Sequence, residues 1–191
     1  MKRNDIIVVS GLPRSGTSLM MQILQALGVN LFTDNERPSD VSNPKGYYEN
    51  QKVKSLENDT SWIKDVQGKA IKVISPLIIY LPEDFCYKII FMQRNYDEII
   101  ASQEKMLNST NKKETNLNSE TLKTILKKDT NQAFQWIHKN KNAEMLEINF
   151  NELIENPKTG ITKISHFLDI KASLIKAIKV VDKKLYRTRI H

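Results

Sequence analysis

The chain has 191 residues, of which 40% are hydrophobic and 27% charged, a composition typical of one globular domain with a sizeable core. Cys86 is the only cysteine, which excludes an internal disulfide, and we expect it to be an inert core residue in a reducing compartment. The formal net charge of +7 favours an anionic partner.

The positive charge is spread along the chain rather than clustered. The densest basic stretch, 176–189, holds one aromatic residue, Tyr186, and lacks the repeated aromatic residues of a single-strand nucleic-acid binder. The first apolar run, Ile6–Val9, is too short for a signal peptide or a membrane span. We therefore expect one cytoplasmic domain over 1–191, with no nucleic acid and no membrane span.

The chain opens with a strand, a loop of small residues and a helix. Ile6–Val9 is an apolar, β-branched run that predicts a buried parallel strand. Gly11–Ser18 (GLPRSGTS) follows, and then Leu19, Ile23 and Leu27 recur at helical spacing. In this arrangement backbone N–H groups and the helix N-terminus together attract phosphate-like anions. The segment therefore predicts a phosphate-binding loop, with a plain strand-to-helix turn as the alternative.

The loop differs from that of nucleotide triphosphatases. Thr17 follows Gly16, where the standard motif has a lysine, and the nearest cation is Arg14. The clearest second strand ends in Gln93 and Arg94 rather than in an acidic residue that would hold Mg²⁺. These differences predict a cationic, metal-free site that transfers a less highly charged group than a terminal phosphoryl.

The rest of the chain alternates between strand and helix patterns. In chain order, the patterns predict a short strand over 29–32, a surface loop over 33–46, a polar helix over 50–66, a strand over 69–74, a helical turn over 76–81, a strand over 87–92, a helix from 95 to about 107, a loop over 108–118, an amphipathic helix over 119–140, a strand over 145–148 and helices near 158–168 and 172–181. This order predicts an α/β fold: a three-layer α/β/α architecture with a central parallel sheet, like that of the P-loop nucleoside triphosphate hydrolases. Ligands of such sheets bind at the carboxyl ends of the strands.

A second candidate anion site follows the strand over 87–92. Arg94 leaves that strand, and Ser102 lies eight residues later, two turns into the next helix. A guanidinium and a hydroxyl at this spacing can converge on one phosphate. The alternative is an ion pair of Arg94 with Asp97 or Glu98 at the helix start. Together with the first loop, the pattern favours the anion.

These segments resemble the sulfotransferase family, whose donor is 3′-phosphoadenosine 5′-phosphosulfate (PAPS). PRSGTS at Pro13–Ser18 resembles the family's 5′-phosphosulfate loop, and Arg94 and Ser102 match its 3′-phosphate motif in type and spacing. NPKGYYEN over 43–50 and KLYRTR over 184–189 are similar to segments of bacterial members. INFNELIENP over 148–157 resembles the family's late strand-to-helix segment, which precedes the C-terminal helices. The resemblance covers nearly the whole chain.

The resemblance implies a PAPS-dependent enzyme that transfers a sulfuryl group to a hydroxyl or amine of a small-molecule or carbohydrate acceptor and releases 3′,5′-adenosine bisphosphate (PAP). No metal is implied. The residues implied to hold the 5′-phosphosulfate are Arg14, Ser15, Gly16, Thr17 and Ser18, and those for the 3′-phosphate are Arg94 and Ser102. Lys72 aligns with a lysine that reaches the transferring group, so we expect Lys72 and Arg14 to stabilise the leaving phosphate.

The general base differs from that of cytosolic members, which carry a histidine at the position of Ile74. None of the three histidines of this chain fits that role. Other members use a glutamate after the first helix, and Glu49, within NPKGYYEN, is the preferred candidate. Glu36 is the alternative base.

The adenine-stacking tryptophan of cytosolic members is replaced by Leu19, so Phe150 or Tyr186 is expected to contact the base. Two other functions stay open from the residues. One is an atypical P-loop nucleotide or small-molecule kinase. The other is a non-catalytic module that binds adenosine bisphosphate or, through its basic surface, nucleic acid. The acceptor and the oligomeric state are not indicated by the sequence.

Overall fold

The computed structural model describes residues 4–34, 36–40, 43–109 and 118–186. Within these ranges four parallel strands form one sheet in the order β2-β1-β3-β4. The strands are β1 (Ile6–Gly11), β2 (Ala70–Lys72), β3 (Tyr87–Gln93) and β4 (Ala143–Asn149). The central strand β1 is buried along its whole length, as its apolar sequence predicts.

Helices cover both faces of the sheet. They are α1 (Thr17–Ala26), α2 (Tyr96–Ser109), α3 (Ser119–Lys139), α4 (Phe150–Glu155), α5 (Pro157–Phe167) and α6 (Ile175–Val180), with 3-10 helices at Gln51–Ser55, Ile63–Val66, Ser75–Tyr80 and Lys183–Leu185. Because side chains alternate along a strand, Ile7 and Val9 pack under α1, α4, α5 and α6, while Ile6 and Val8 pack under α3 and the first three 3-10 helices. The predicted three-layer α/β/α fold is confirmed.

The parallel register brings three strand ends to one edge of the sheet. Gly11 at the end of β1 pairs with Met92 of β3, and Val9 pairs with Lys72, the last residue of β2. The loop after β1, the end of β2 and the segment after β3 therefore lie side by side. We call this edge the rim.

Three predicted elements differ from the structure. The segment over 50–66 forms two 3-10 helices rather than one α-helix, because Asp59 Oδ1 accepts a hydrogen bond from Ser61 N and the backbone turns between them. The predicted strand over 29–32 is reduced to a bridge between Leu31 and Ala70. The predicted strand over 69–74 shortens to β2.

The expectation that Cys86 is a core residue is wrong, because its side chain is exposed. Cys86 directly precedes β3, and its carbonyl accepts a hydrogen bond from Ile6 N. Most of the predicted loop over 108–118 lies outside the described residues. No helix within the described ranges is long and apolar enough to cross a membrane.

The two-sided core provides a stability test. Ile89 on β3 is fully buried, whereas Ile175 at the start of α6 is 63% exposed. We expect Ile89→Ala to lower the free energy of unfolding by about 2–5 kcal/mol, because it leaves a cavity between the sheet and α3. Ile175→Ala, the matched control, should change it by less than about 0.5 kcal/mol. Urea denaturation followed by circular dichroism measures both, and similar losses would contradict this placement of the core.

Candidate active site at the rim of the sheet

The loop between β1 and α1 has the backbone of an anion-binding nest. Arg14 and Gly16 are both in the left-handed region, at φ 72° and 102°. Such turns direct successive backbone N–H groups toward one concavity. The N–H groups of Gly16, Thr17 and Ser18 belong to the first turn of α1 and have no acceptor within the helix.

Gly16 is required by contact as well as by conformation. A Cβ atom there would lie 2.4 Å from Phe150 Cδ2, at the start of α4. The loop is therefore held against α4, and its N–H groups keep their direction.

The two predicted anion-binding segments meet at the rim. Arg94 Nη1 donates a hydrogen bond to the backbone oxygen of Arg14 at 3.0 Å, and Arg14 Nε donates to Ser102 Oγ at 3.0 Å. Burial lowers the pKa of Arg14, and the nearby charge of Arg94 lowers it further, although Tyr47 and Asp40 oppose this. A bound anion would relieve the crowding of these cations.

The guanidinium of Arg94 is held in place from two sides. Its Nε donates to Glu98 Oε2 at 2.8 Å, and its Cζ lies 4.6 Å from the centroid of the Phe150 ring. Glu98 Oε1 accepts hydrogen bonds from Tyr186 Oη at 2.6 Å and Asn151 Nδ2 at 3.3 Å. The anticipated pair of Arg94 with Glu98 is thus formed, and Arg94 also lines the cavity described below.

Glu98 stays ionised although its side chain is buried. Burial alone would raise its pKa, but the hydrogen bonds from Tyr186 and Arg94 and the charge of Arg94 outweigh burial and lower it. The carboxylate therefore remains negatively charged, and its hydrogen bond with Arg94 fixes the direction of the guanidinium.

Lys72 and Glu49 form a second charged group at the end of β2. Lys72 Nζ donates to Glu49 Oε1 at 3.0 Å, to the backbone oxygen of Tyr47 at 2.9 Å and to Ser18 Oγ at 3.3 Å. Burial lowers the pKa of Lys72, against the opposing charge of Glu49. The lysine thus connects the phosphate-binding loop to the candidate base.

Glu49 has a second cationic partner, Arg37, whose Nη1 lies 3.2 Å from both carboxylate oxygens. Burial would raise the pKa of Glu49, but the charges and hydrogen bonds of Lys72 and Arg37 outweigh burial and lower it. The carboxylate is therefore ionised near neutral pH and available as a proton acceptor.

A cavity of about 490 Å³ opens at the rim. The predicted site residues that line it are Arg14, Gly16, Thr17, Ser18, Glu49, Lys72, Arg94 and Ser102. Ser15 is different, because its hydroxyl is buried beside Gly11 and has no hydrogen-bond partner among the described residues. Glu36 is exposed and does not contribute to the cavity lining, so the structure brings Glu49 to the site and leaves Glu36 outside.

The sequence analysis gave no site role to two residues that line the cavity, Arg37 and Asn43. Arg37 lines the cavity, and Asn43 Nδ2 donates to Ser18 Oγ at 3.0 Å. Both belong to the segment predicted as a surface loop, and Asn43 also begins NPKGYYEN. Their partners lie 12 and 25 positions away, too far along the chain for a local pattern to reveal the contacts. His138 and His166 are exposed, and no histidine of the described ranges lines the cavity.

The aromatic residues predicted to contact adenine lie next to Arg94. Phe150 lines the cavity, and its ring meets that of Tyr186 edge-on, with centroids 5.3 Å apart. Arg187 and Arg189 of the KLYRTR segment lie outside the described residues. In the part of the chain that is described, no three His, Cys, Asp or Glu side chains cluster as a metal site.

The fold and the rim site define an α/β protein of the phosphate-binding-loop class. A family model described as "Sulfotransferase domain" matches residues 3–189, so the chain belongs to the sulfotransferase domain family. The prediction of an enzyme of sulfuryl transfer is confirmed at this level. A comparison with curated protein sequences found no significant match.

Solved sulfotransferases share the fold. The sulfotransferase domain from the curacin biosynthetic pathway has 13% identity and a TM-score of 0.53, over 94% of this chain and 78% of that one. The domain from the Synechococcus PCC 7002 olefin synthase has 14% identity and a TM-score of 0.53, over 98% and 89%. Mouse sulfotransferase SULT7A1, complexed with PAP, has 20% identity and a TM-score of 0.58, over 95% of this chain and 63% of the mouse chain. At these identities the likeness establishes the fold.

The contact between Gly16 and α4 generates a stability prediction. Gly16→Ala should lower the free energy of unfolding more than Gly28→Ala does. Both substitutions place a Cβ on a left-handed backbone, but only the Cβ at position 16 would collide with a neighbour, the Phe150 ring. We expect about 1–2 kcal/mol for Gly28→Ala and a further 1–3 kcal/mol for Gly16→Ala. Urea denaturation measures the difference. Equal losses would show that the loop is not packed against Phe150.

Proposed function

We propose that this protein binds PAPS and transfers its sulfuryl group to a hydroxyl or amine of an acceptor, releasing PAP. The observation that carries the proposal is the hydrogen bond of Arg94 Nη1 to the backbone oxygen of Arg14 at 3.0 Å. It joins the two predicted phosphate-binding segments in one cavity. An adenosine with phosphates at both the 5′ and 3′ positions needs such a pair of adjoining anion sites.

The chemistry of the rim fits this ligand. The groups that converge on the cavity are the N–H groups of the loop, the cations Arg14, Lys72 and Arg94, and the hydroxyls of Ser18 and Ser102. These are hydrogen-bond donors to oxyanions. Phe150 offers an apolar ring beside Arg94 for the adenine. The mouse sulfotransferase was solved in complex with PAP, and we extend that ligand to this chain.

The residues divide the reaction between them. When bound, PAPS supplies the sulfuryl group, whose sulfur bonds to the acceptor oxygen or nitrogen as its bond to the 5′-phosphate oxygen breaks and PAP leaves with the electron pair. Glu49 accepts the proton that the acceptor loses. Lys72, Arg14 and the loop N–H groups stabilise the negative charge that grows on the departing phosphate oxygen.

The role of Arg94 is tested by comparing PAP with AMP, which lacks the 3′-phosphate. We expect Arg94→Ala to weaken PAP binding by about 10- to 150-fold, because it removes charged hydrogen bonds to the 3′-phosphate. AMP binding should change by less than about threefold. Calorimetric titration measures both ligands. Lys88→Ala, near the opposite end of β3, is the control and should leave both affinities unchanged.

Equal losses for the two nucleotides would contradict the assignment of Arg94 to the 3′-phosphate. Absence of PAP binding to the wild-type protein at high micromolar concentration would contradict the proposed donor. Mg²⁺-dependent turnover of ATP would instead support the kinase alternative.

The role of Glu49 is tested by turnover. Labelled PAPS is incubated with a panel of alcohols, phenols, amines and saccharides, and transfer of the label is followed. We expect Glu49→Gln to lower kcat by about 10²- to 10⁴-fold, because no general base then takes the proton from the acceptor substrate. The affinity for PAP should be unchanged. Glu36→Gln is the matched control and should retain turnover, since Glu36 is exposed and outside the cavity lining.

A loss in Glu36→Gln without a loss in Glu49→Gln would reverse the assignment of the base. PAP binding by the wild-type protein without transfer to any member of the panel would favour the non-catalytic binding module.

A further inference from the structure

Arg37 occupies an unusual position for a residue of a surface loop. Its side chain is 41% exposed, yet Nη1 lies 3.2 Å from both oxygens of Glu49, and the guanidinium carbon lies 3.4 Å from the centroid of the Tyr47 ring. A guanidinium stacked on an aromatic ring has its plane and direction fixed by that ring. Arg37 is therefore held in position both by its stacking on the Tyr47 ring and by its ion pair with the Glu49 carboxylate.

The Tyr47 ring is itself anchored to the site. Tyr47 is 5% exposed, and its hydroxyl donates to Asp40 Oδ2 at 2.6 Å. Its backbone oxygen accepts hydrogen bonds from Lys72 Nζ at 2.9 Å and Ser18 Oγ at 3.2 Å. Tyr47, on which Arg37 stacks, is thus hydrogen-bonded both to Ser18 of the loop and to Lys72 of β2.

Glu49 needs a second cationic partner because Lys72 contacts both Glu49 and the loop. Lys72 Nζ contacts Glu49 at 3.0 Å and also Ser18 Oγ at 3.3 Å, on the loop where the transferring group would bind. When an anionic group occupies that loop, the charge of Lys72 is shared between the group and Glu49. The carboxylate, whose side chain is 29% exposed, then depends on its other partner.

We propose that Arg37 is the positioning residue for the base: stacked on Tyr47, it keeps the Glu49 carboxylate ionised and directed into the cavity while Lys72 contacts the transferring sulfuryl group. The inference rests on the proposed function, in which Glu49 accepts the acceptor proton. Nothing in the local sequence around Arg37 indicates this role.

The charged groups around Glu49 set the direction of the expected effect. Lys72 of β2 and Arg37 of the 36–40 segment contact the carboxylate, and Arg14 of the loop and the Tyr47–Asp40 pair lie beyond them. Burial raises the pKa of Glu49 and the two contacting cations lower it. Removal of Arg37 therefore raises this pKa and moves the acid limb of a rate profile to higher pH.

The experiment titrates Glu49 directly. Protein labelled with ¹³C at the glutamate carboxyl groups is followed by NMR against pH, with and without saturating PAP, and Glu49→Gln assigns the signal. Arg37→Met should raise the pKa of Glu49 by about half a unit to one unit. The rise should be larger with PAP bound, because its 5′-phosphate is the anionic group that then occupies the loop and shares the charge of Lys72. Arg37→Lys, which keeps the charge, should raise it by at most half as much. Lys52→Met, a neighbouring exposed cation outside the cavity lining, is the control and should leave it unchanged.

A change of less than about 0.2 of a unit in Arg37→Met would overturn the inference, and an equal rise in Arg37→Met and Arg37→Lys would contradict a role for the charge. The calorimetric titration separates the two levels of the proposal. If the wild-type protein fails to bind PAP, the proposed function itself fails. If PAP binds and the Glu49 titration does not respond to Arg37, only the role of Arg37 fails.

Discussion

The parallel pairing of β1 with β2 and β3 is the constraint on which the site depends. Its register aligns Gly11 with Met92, and Val9 with Lys72, so that the loop, Lys72 and Arg94 all emerge at one rim. A slip of one residue would turn every side chain of the strand to the other face of the sheet. The same hydrogen bonds that hold the sheet together therefore set the positions of the cations that line the cavity.

Gathering cations at one rim costs free energy, and two glutamates offset that cost. Glu98 holds Arg94 by an ion pair at 2.8 Å, and Glu49 holds Lys72 at 3.0 Å. Each carboxylate has further polar partners, which lower its pKa against the effect of burial. The difference between them is position: Glu98 is buried behind its arginine, whereas Glu49 lines the cavity, and this difference supports a structural role for one and a chemical role for the other.

Local patterns predicted much of the fold because the decisive residues are neighbours in sequence. The apolar run of β1, the loop after it and the helical spacing of α1 act over a few residues each, and the structure agrees with them. The polar segment over 50–66 was predicted less well, because the turn at Asp59 competes with helical hydrogen bonds. Cys86 was misplaced because its apolar neighbours Phe85 and Tyr87 suggest a buried position, and the sequence does not reveal that its side chain is exposed.

The sequence by itself determined the two candidate anion-binding segments, since the backbone conformation at Gly16 and the spacing of Arg94 and Ser102 are local properties. Only the tertiary structure decided their relation: Arg14 bridges them by contacts with residues 80 and 88 positions away. The pairs of Glu49 with Lys72 and Arg37 and of Glu98 with Tyr186 likewise depend on folding. Such partners are brought together by strand register and helix packing. Pairing between charges that are far apart in the sequence produces no periodic pattern from which it could be predicted.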